Sequence, residues 1–196
     1  MLRRFGIVCI VCLSACRTTP APVAQATGAE TTVTASVDSG SSALPDTADA
    51  VVAQIRKEYQ SIQSDPTLTR KAISYETPPD AVNMPPMGGT LTLFFRNGQV
   101  VKVLDDGGED HGVWKEEYYY RPGGELFFIY ADNAYGGAAN PTEIKYQLRL
   151  YLHEGRVYKT LTTQSADNAL DTDDYLRKAK AFYNARTAAD ILAVYQ

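Results

Sequence analysis

The stretch WKEEYYYRPGGELFFIY, residues 114–130, sets two runs rich in aromatic and β-branched residues around the cluster Arg121-Pro122-Gly123-Gly124. Such runs suit a pleated, half-buried strand, and the Pro-Gly-Gly break between them predicts a β-hairpin. The same plan stands on both sides, as FFRNGQVVKVL (residues 94–104) and YLHEGRVYKTL (residues 151–161). Setting Gly98 on Gly155 places Phe95 on Leu152, Val100 on Val157, Lys102 on Lys159 and Leu104 on Leu161 without a gap. The central hairpin joins when one glycine is inserted, with Leu126, Phe128 and Tyr130 in the Val, Lys and Leu places. The prediction is an α+β fold: an antiparallel β-meander of about six strands, an open sheet or partial barrel, flanked by N- and C-terminal helices.

Two-residue turns at Asn97-Gly98 and Glu154-Gly155 predict type I′ geometry, with positive φ at both glycines. Simple alternation then pairs Leu93 with Lys102, Leu150 with Lys159 and Tyr151 with Tyr158. It also leaves Lys102 on an otherwise apolar face with its ammonium reaching water. Gly123 and Gly124 lie in a longer turn, where a side chain is expected to cost less than at Gly98 or Gly155. Leu126, Phe128 and Tyr130 oppose Phe127 and Ile129, so that strand is expected in the middle, covered on both sides. The hairpins loosely resemble MORN-type repeats over about eleven residues each. Their glycines, 26 and 31 residues apart, are too irregularly spaced for a solenoid.

Helical periodicity brackets the meander. Val51, Val52, Ile55, Tyr59 and Ile62 form one stripe, with Asp46 as the expected N-cap and Asp65-Pro66 as the stop. Asp171, Thr172, Asp173 and Asp174 open a C-terminal helix with a stripe at Leu176, Ala179, Phe182 and Tyr183, continued by Ile191, Leu192 and Tyr195 after a break near Thr187. A further strand is expected over residues 71–76.

The N-terminus carries an address. Arg3 and Arg4 precede a nine-residue apolar run, residues 5–13, too short to cross a hydrocarbon core of about 30 Å as a helix. Leu13-Ser14-Ala15-Cys16 resembles the lipobox of bacterial lipoproteins. That resemblance implies cleavage before Cys16, acylation of Cys16 (palmitate among its acyl groups) and anchoring in a membrane. Arg17 in place of an aspartate implies the periplasmic face of the outer membrane. The expected organisation is a signal peptide over 1–15, a lipidated Cys16 and disordered tether over 16–46, and one globular domain over 47–196. Residues 17–46 are Ala, Thr, Ser, Gly and Pro with almost no large apolar side chain, so burial cannot offset their ordering entropy. Such a tether spans roughly 30 Å root-mean-square. Cys9 and Cys12 lie in the apolar run, which leaves no partner for a disulfide. Without Arg3 and Arg4, 17 basic side chains face 23 acidic ones, a formal −6 with no basic run, which argues against nucleic acid as a partner.

The chain offers little recognisable chemistry. His111 lies in DDGGEDHG (residues 105–112), the densest group of ligand-type side chains, but the spacing is not that of an EF-hand loop. The segment is expected to be an acidic, solvated connection, with no metal site and no cofactor. His153 reads as a solvated turn residue. Glu116 and Glu117 are adjacent on a strand and so point to opposite faces, which rules them out as a paired acid and base. An inward Glu116 is expected to pair with a base such as Lys102 or to have a raised pKa. Among 13 tyrosines, Tyr119, Tyr151 and Tyr158 take the outward parity, and with Arg149 they form the candidate binding surface. The Gly-rich segment 132–143 is a second candidate contact loop. The function expected is non-catalytic: binding of another envelope protein or a glycan, as an assembly factor or an inhibitor or immunity protein. A small-ligand binder with a pocket between sheet and helices is the alternative.

Overall fold

The computed structural model describes residues 47–82, 84–137, 140–163 and 170–196. Cys16, Asp46 and the tether lie outside these residues. Helix α1 (Thr47–Gln63) leads into seven strands: β1 (Thr69–Glu76), β2 (Met87–Arg96), β3 (Gln99–Glu109), β4 (Gly112–Tyr120), β5 (Leu126–Gly137), β6 (Asn140–His153) and β7 (Arg156–Thr162). Helices α2 (Thr172–Asn184) and α3 (Ala188–Leu192) and a 3₁₀ turn (Ala193–Tyr195) close the chain. The strands pair antiparallel in the order β1 to β7, an open meander of seven strands rather than six. The candidate loop at 132–143 is largely strand, because β5 and β6 extend until Gly137 faces Asn140.

The type I′ turns form as the sequence predicts, with φ of 52° and 77° at Asn97 and Gly98 and of 52° and 72° at Glu154 and Gly155. Just beyond each turn, simple alternation fails. Phe95 faces Val100 but Phe94 faces Lys102; Tyr120 faces Leu126 but Tyr119 faces Phe128; Leu152 faces Val157 but Tyr151 faces Lys159. Each hairpin carries one extra residue, Val101, Phe127 or Tyr158, at the same place in the alignment. The three hairpins are structural copies down to this bulge. Beyond it the register slips by one, which reverses the expected faces. Lys102 therefore stands beside Phe94 rather than Leu93, Lys159 faces Tyr151 rather than Leu150, and Tyr151 does not oppose Tyr158.

Helices pack on both faces of the sheet. Val52, Ile55 and Ile62 of α1 pack on Val101, Tyr119, Phe127, Phe128 and Tyr151. Tyr175, Ala179 and Phe182 of α2, with Ile191 and Val194, pack on the opposite face with Leu91, Leu93, Val103, Tyr118, Ile129, Leu148 and Leu150. The middle strands are buried on both sides, as the doubly apolar run in β5 requires. The helix boundaries follow local chemistry. Asp171 caps α2 by accepting from the amides of Asp173 and Asp174, each at 3.1 Å. Thr187 and Asp190 form a capping box that restarts the chain as α3.

Candidate functional site

Burial sorts the predicted surface residues. Tyr119 and Tyr151 are 0% and 1% exposed beneath α1, so neither is available as a contact surface. The Tyr151 hydroxyl accepts from Arg56 Nε at 3.3 Å. Tyr158 is 40% exposed at the tip of the β6–β7 hairpin, and Arg149 lies over the Tyr130 ring with its guanidinium 5.2 Å from the centroid. Parity misplaced the tyrosines because it took no account of the bulge or of which helix covers which face. Most tyrosine hydroxyls serve as polar handles inside the domain.

Two buried carboxylates project from adjacent positions of β4 to opposite faces, as alternation predicts. Glu117, on the α1 side, accepts from Lys102 Nζ at 3.0 Å, from Gln63 Nε2 at 2.9 Å and from the Tyr119 hydroxyl. Lys102 is buried rather than water-facing, and its ammonium lies 5.3 Å from the Phe94 ring and 5.2 Å from the Tyr119 ring, its two neighbours in the ladder. Glu116, on the α2 side, accepts from the Tyr118 hydroxyl at 2.5 Å and from Asn133 at 3.1 Å. Its cation is Lys178 of α2, at 3.5 Å, and not Lys102. Burial opposes the charge on Lys178, but Glu116 and Asp174 outweigh it and raise its pKa.

The strand register sets Asp105 directly opposite Glu116, on one face of neighbouring strands. Asp105 is fully buried and is not part of a solvated connection: β3 runs through to Glu109. It accepts from the Tyr75 hydroxyl at 2.7 Å, from Trp114 Nε1 at 2.8 Å and from the hydroxyl of Tyr195, next to the last residue. Burial pushes its carboxyl up to about 6 against these donors, and the nearby Glu116 pushes it the same way. Gly89 and Gly107 stand opposite one another and make this approach possible. A Cβ on Gly89 would lie 2.7 Å from the Tyr75 hydroxyl, and one on Gly107 would lie 2.8 Å from the Trp114 ring. Among the described residues no group of three His, Cys, Asp or Glu is placed to hold a metal ion.

The α1 side carries the exposed features. A groove of about 460 Å³ runs between α1 and the tips of the first two hairpins. Its lining includes the bulge residues Val101 and Phe127 together with Ile62. Arg96 and Arg121, each the last residue before its turn, tie the groove to the α1 region: Arg121 pairs with Glu58 within α1 at 2.8 Å and Arg96 with Asp65, just past its end, at 2.6 Å. The third hairpin holds His153 and Tyr158 in the corresponding places, with their rings 6.0 Å apart and edge-on. Helix α1 reaches its first strand at Tyr151, but the α1-side core does not extend to Tyr158 or Leu161 of β7. Tyr158 and Leu161 are 40% and 36% exposed there. Between Ile144 and Thr163 the chain carries Lys145, Arg149, Arg156 and Lys159 against the single acid Glu154.

In comparisons with known proteins, the chain matches no family model, no curated protein and no solved structure.

Proposed function

We propose that this chain is a lipoprotein of the bacterial outer membrane, anchored through Cys16 and facing the periplasm, whose domain binds another macromolecule of the envelope without catalysing a reaction. The lipobox-like Leu13-Ser14-Ala15-Cys16 supports the anchor. The observation that carries the binding role is the outer strand of the third hairpin, where Tyr158 and Leu161 are exposed beside cations while the corresponding bulge residues Val101 and Phe127 are buried against α1. Apolar side chains inside a polar rim are the usual make-up of a contact surface.

The test is in vivo photo-crosslinking from the membrane-bound chain. A photoreactive side chain at Tyr158 should give one adduct of defined mass, and the same group at Val82, 83% exposed, should give none. Absence of any adduct from Tyr158 refutes the binding role. Cys16→Ser should abolish acyl labelling and membrane fractionation; a labelled, membrane-bound mutant refutes the anchor.

A second reading is favoured by the α1 groove, whose volume of about 460 Å³ falls within the range of small-molecule sites. It makes the domain a small-ligand carrier. Native mass spectrometry of the chain extracted from envelopes separates the two, because a bound small molecule appears as a discrete mass that Gln54→Trp, on the groove wall, should remove.

A further inference from the structure

We infer that the occupant of the exposed β7 side of the third hairpin is an acidic amphipathic helix supplied by a partner protein, laid over Tyr158 and Leu161 as α1 lies over the bulges of the first two hairpins. This rests on the binding role proposed above and names the partner's chemistry. The chain itself provides the precedent. Its three hairpins share bulge and register, the central one around a longer turn, so the α1-side face of each presents one bulge residue at the tip and one residue before the turn. In the first two copies these are Val101 with Arg96 and Phe127 with Arg121; α1 sets apolar side chains on both bulges, its Glu58 pairs with Arg121, and Asp65, just past its end, pairs with Arg96. In the third copy, Tyr158 and His153 occupy those places, and neither belongs to the core that α1 forms with the other two bulges.

Charge selects the partner. Among the described residues, no carboxylate forms an ion pair with Arg149, Arg156 or Lys159, in a chain with 23 acidic side chains against 19 basic. By register, Lys159 extends the ladder of Phe128 and Tyr151, and Leu161 extends that of Tyr130 and Arg149. The face therefore offers apolar Tyr158 and Leu161 between cations. An apolar stripe flanked by Glu or Asp, at i, i+3, i+4 and i+7 spacing, complements that arrangement. A second copy of this chain does not: β7 carries Arg156 and Lys159 and no acid, so edge-to-edge pairing sets like charges together.

The probe is a synthetic 17-residue helix with a Leu stripe flanked by glutamates, titrated against the full chain in detergent and followed by NMR. Matched peptides carry lysines for the glutamates, or a central proline. The glutamate peptide should shift the resonances of Arg149, Tyr158, Lys159 and Leu161, and the lysine peptide should bind about tenfold more weakly. Lys159→Glu should reverse the preference while leaving the melting temperature unchanged within error, and Lys159→Arg should keep it. Equal binding of the proline peptide would show strand addition at the β7 edge and overturn the helix. Shifts confined to the α1 groove, or no binding by any peptide, overturn the inference as well. A Tyr158 crosslink in vivo to a glycan or an extended segment would overturn the helix while leaving the binding role standing.

Discussion

Replacing Asp105 by Asn isolates the electrostatic cost of burying that carboxyl in the α2-side core. The unfolded carboxyl titrates near 3.8, and burial raises it to about 6 in the fold. Well below pH 3.8 both states hold the proton. As the pH rises from 4 to 6, the unfolded chain releases it and the fold does not, so the contribution of Asp105 to stability falls. At about 1.4 kcal/mol per pH unit, the loss totals about 3 kcal/mol and levels off above pH 6. An Asn fits the same donors. Its oxygen can accept from Trp114 and Tyr195, and its amide can donate to the Tyr75 hydroxyl oxygen. Asp105→Asn should therefore match or exceed the wild type at pH 7 and lose that advantage as the pH falls to 4. Asp65 does not confuse the window: its hydrogen bonds from Thr67 and Arg96 hold it down at about 2, so its contribution is lost only below about pH 4. Urea unfolding of both proteins at half-unit steps from pH 4 to 8 measures the difference. A wild-type-minus-variant difference that stays flat across pH 4–6, or that favours the wild type as pH rises, refutes the buried, ionisable Asp105.

Two further sets of variants test the opposite face and the turns. Lys102→Met leaves the Glu117 carboxylate buried without its cation and should cost about 3 kcal/mol, the lower end for a broken buried pair because Gln63 and Tyr119 still donate. Adding Glu117→Gln should recover at least half of that loss in urea unfolding, and no recovery would place the cost in packing instead. Gly98→Val, Gly123→Val and Gly155→Val meet open space and should each cost about 1–3 kcal/mol from positive φ alone. Gly124→Val should cost more, because φ is 86° and its Cβ would lie 2.9 Å from the Tyr183 ring. This reverses the expectation that the longer turn redistributes strain, and an equal loss at Gly124 and Gly123 would refute it.

Elements governed by neighbours in the chain are legible in the sequence alone. The Asn97-Gly98 and Glu154-Gly155 turns, the stripe and stop of α1, the Asp171 cap, the restart after Thr187 and the opposition of Glu116 to Glu117 depend on backbone preferences and side-chain period, which act within a few residues. The likeness of the three hairpins is legible for the same reason, and it extends even to a bulge that no residue type announces. What only the tertiary structure decides is which face each residue occupies and what covers it. One extra residue per hairpin moves Lys102 and Lys159 into other ladders, and the period-2 pattern contains no mark of that slip. Tyr119 and Tyr151 look like Tyr158 in sequence; α1 buries the first two and stops short of the third. Asp105 reads as one acid in a polar run, yet it stands opposite Glu116 and beneath Tyr195, 90 residues away along the chain. Its burial and its raised pKa come from contacts between strands and helices, and those contacts leave no trace in the residues on either side of it.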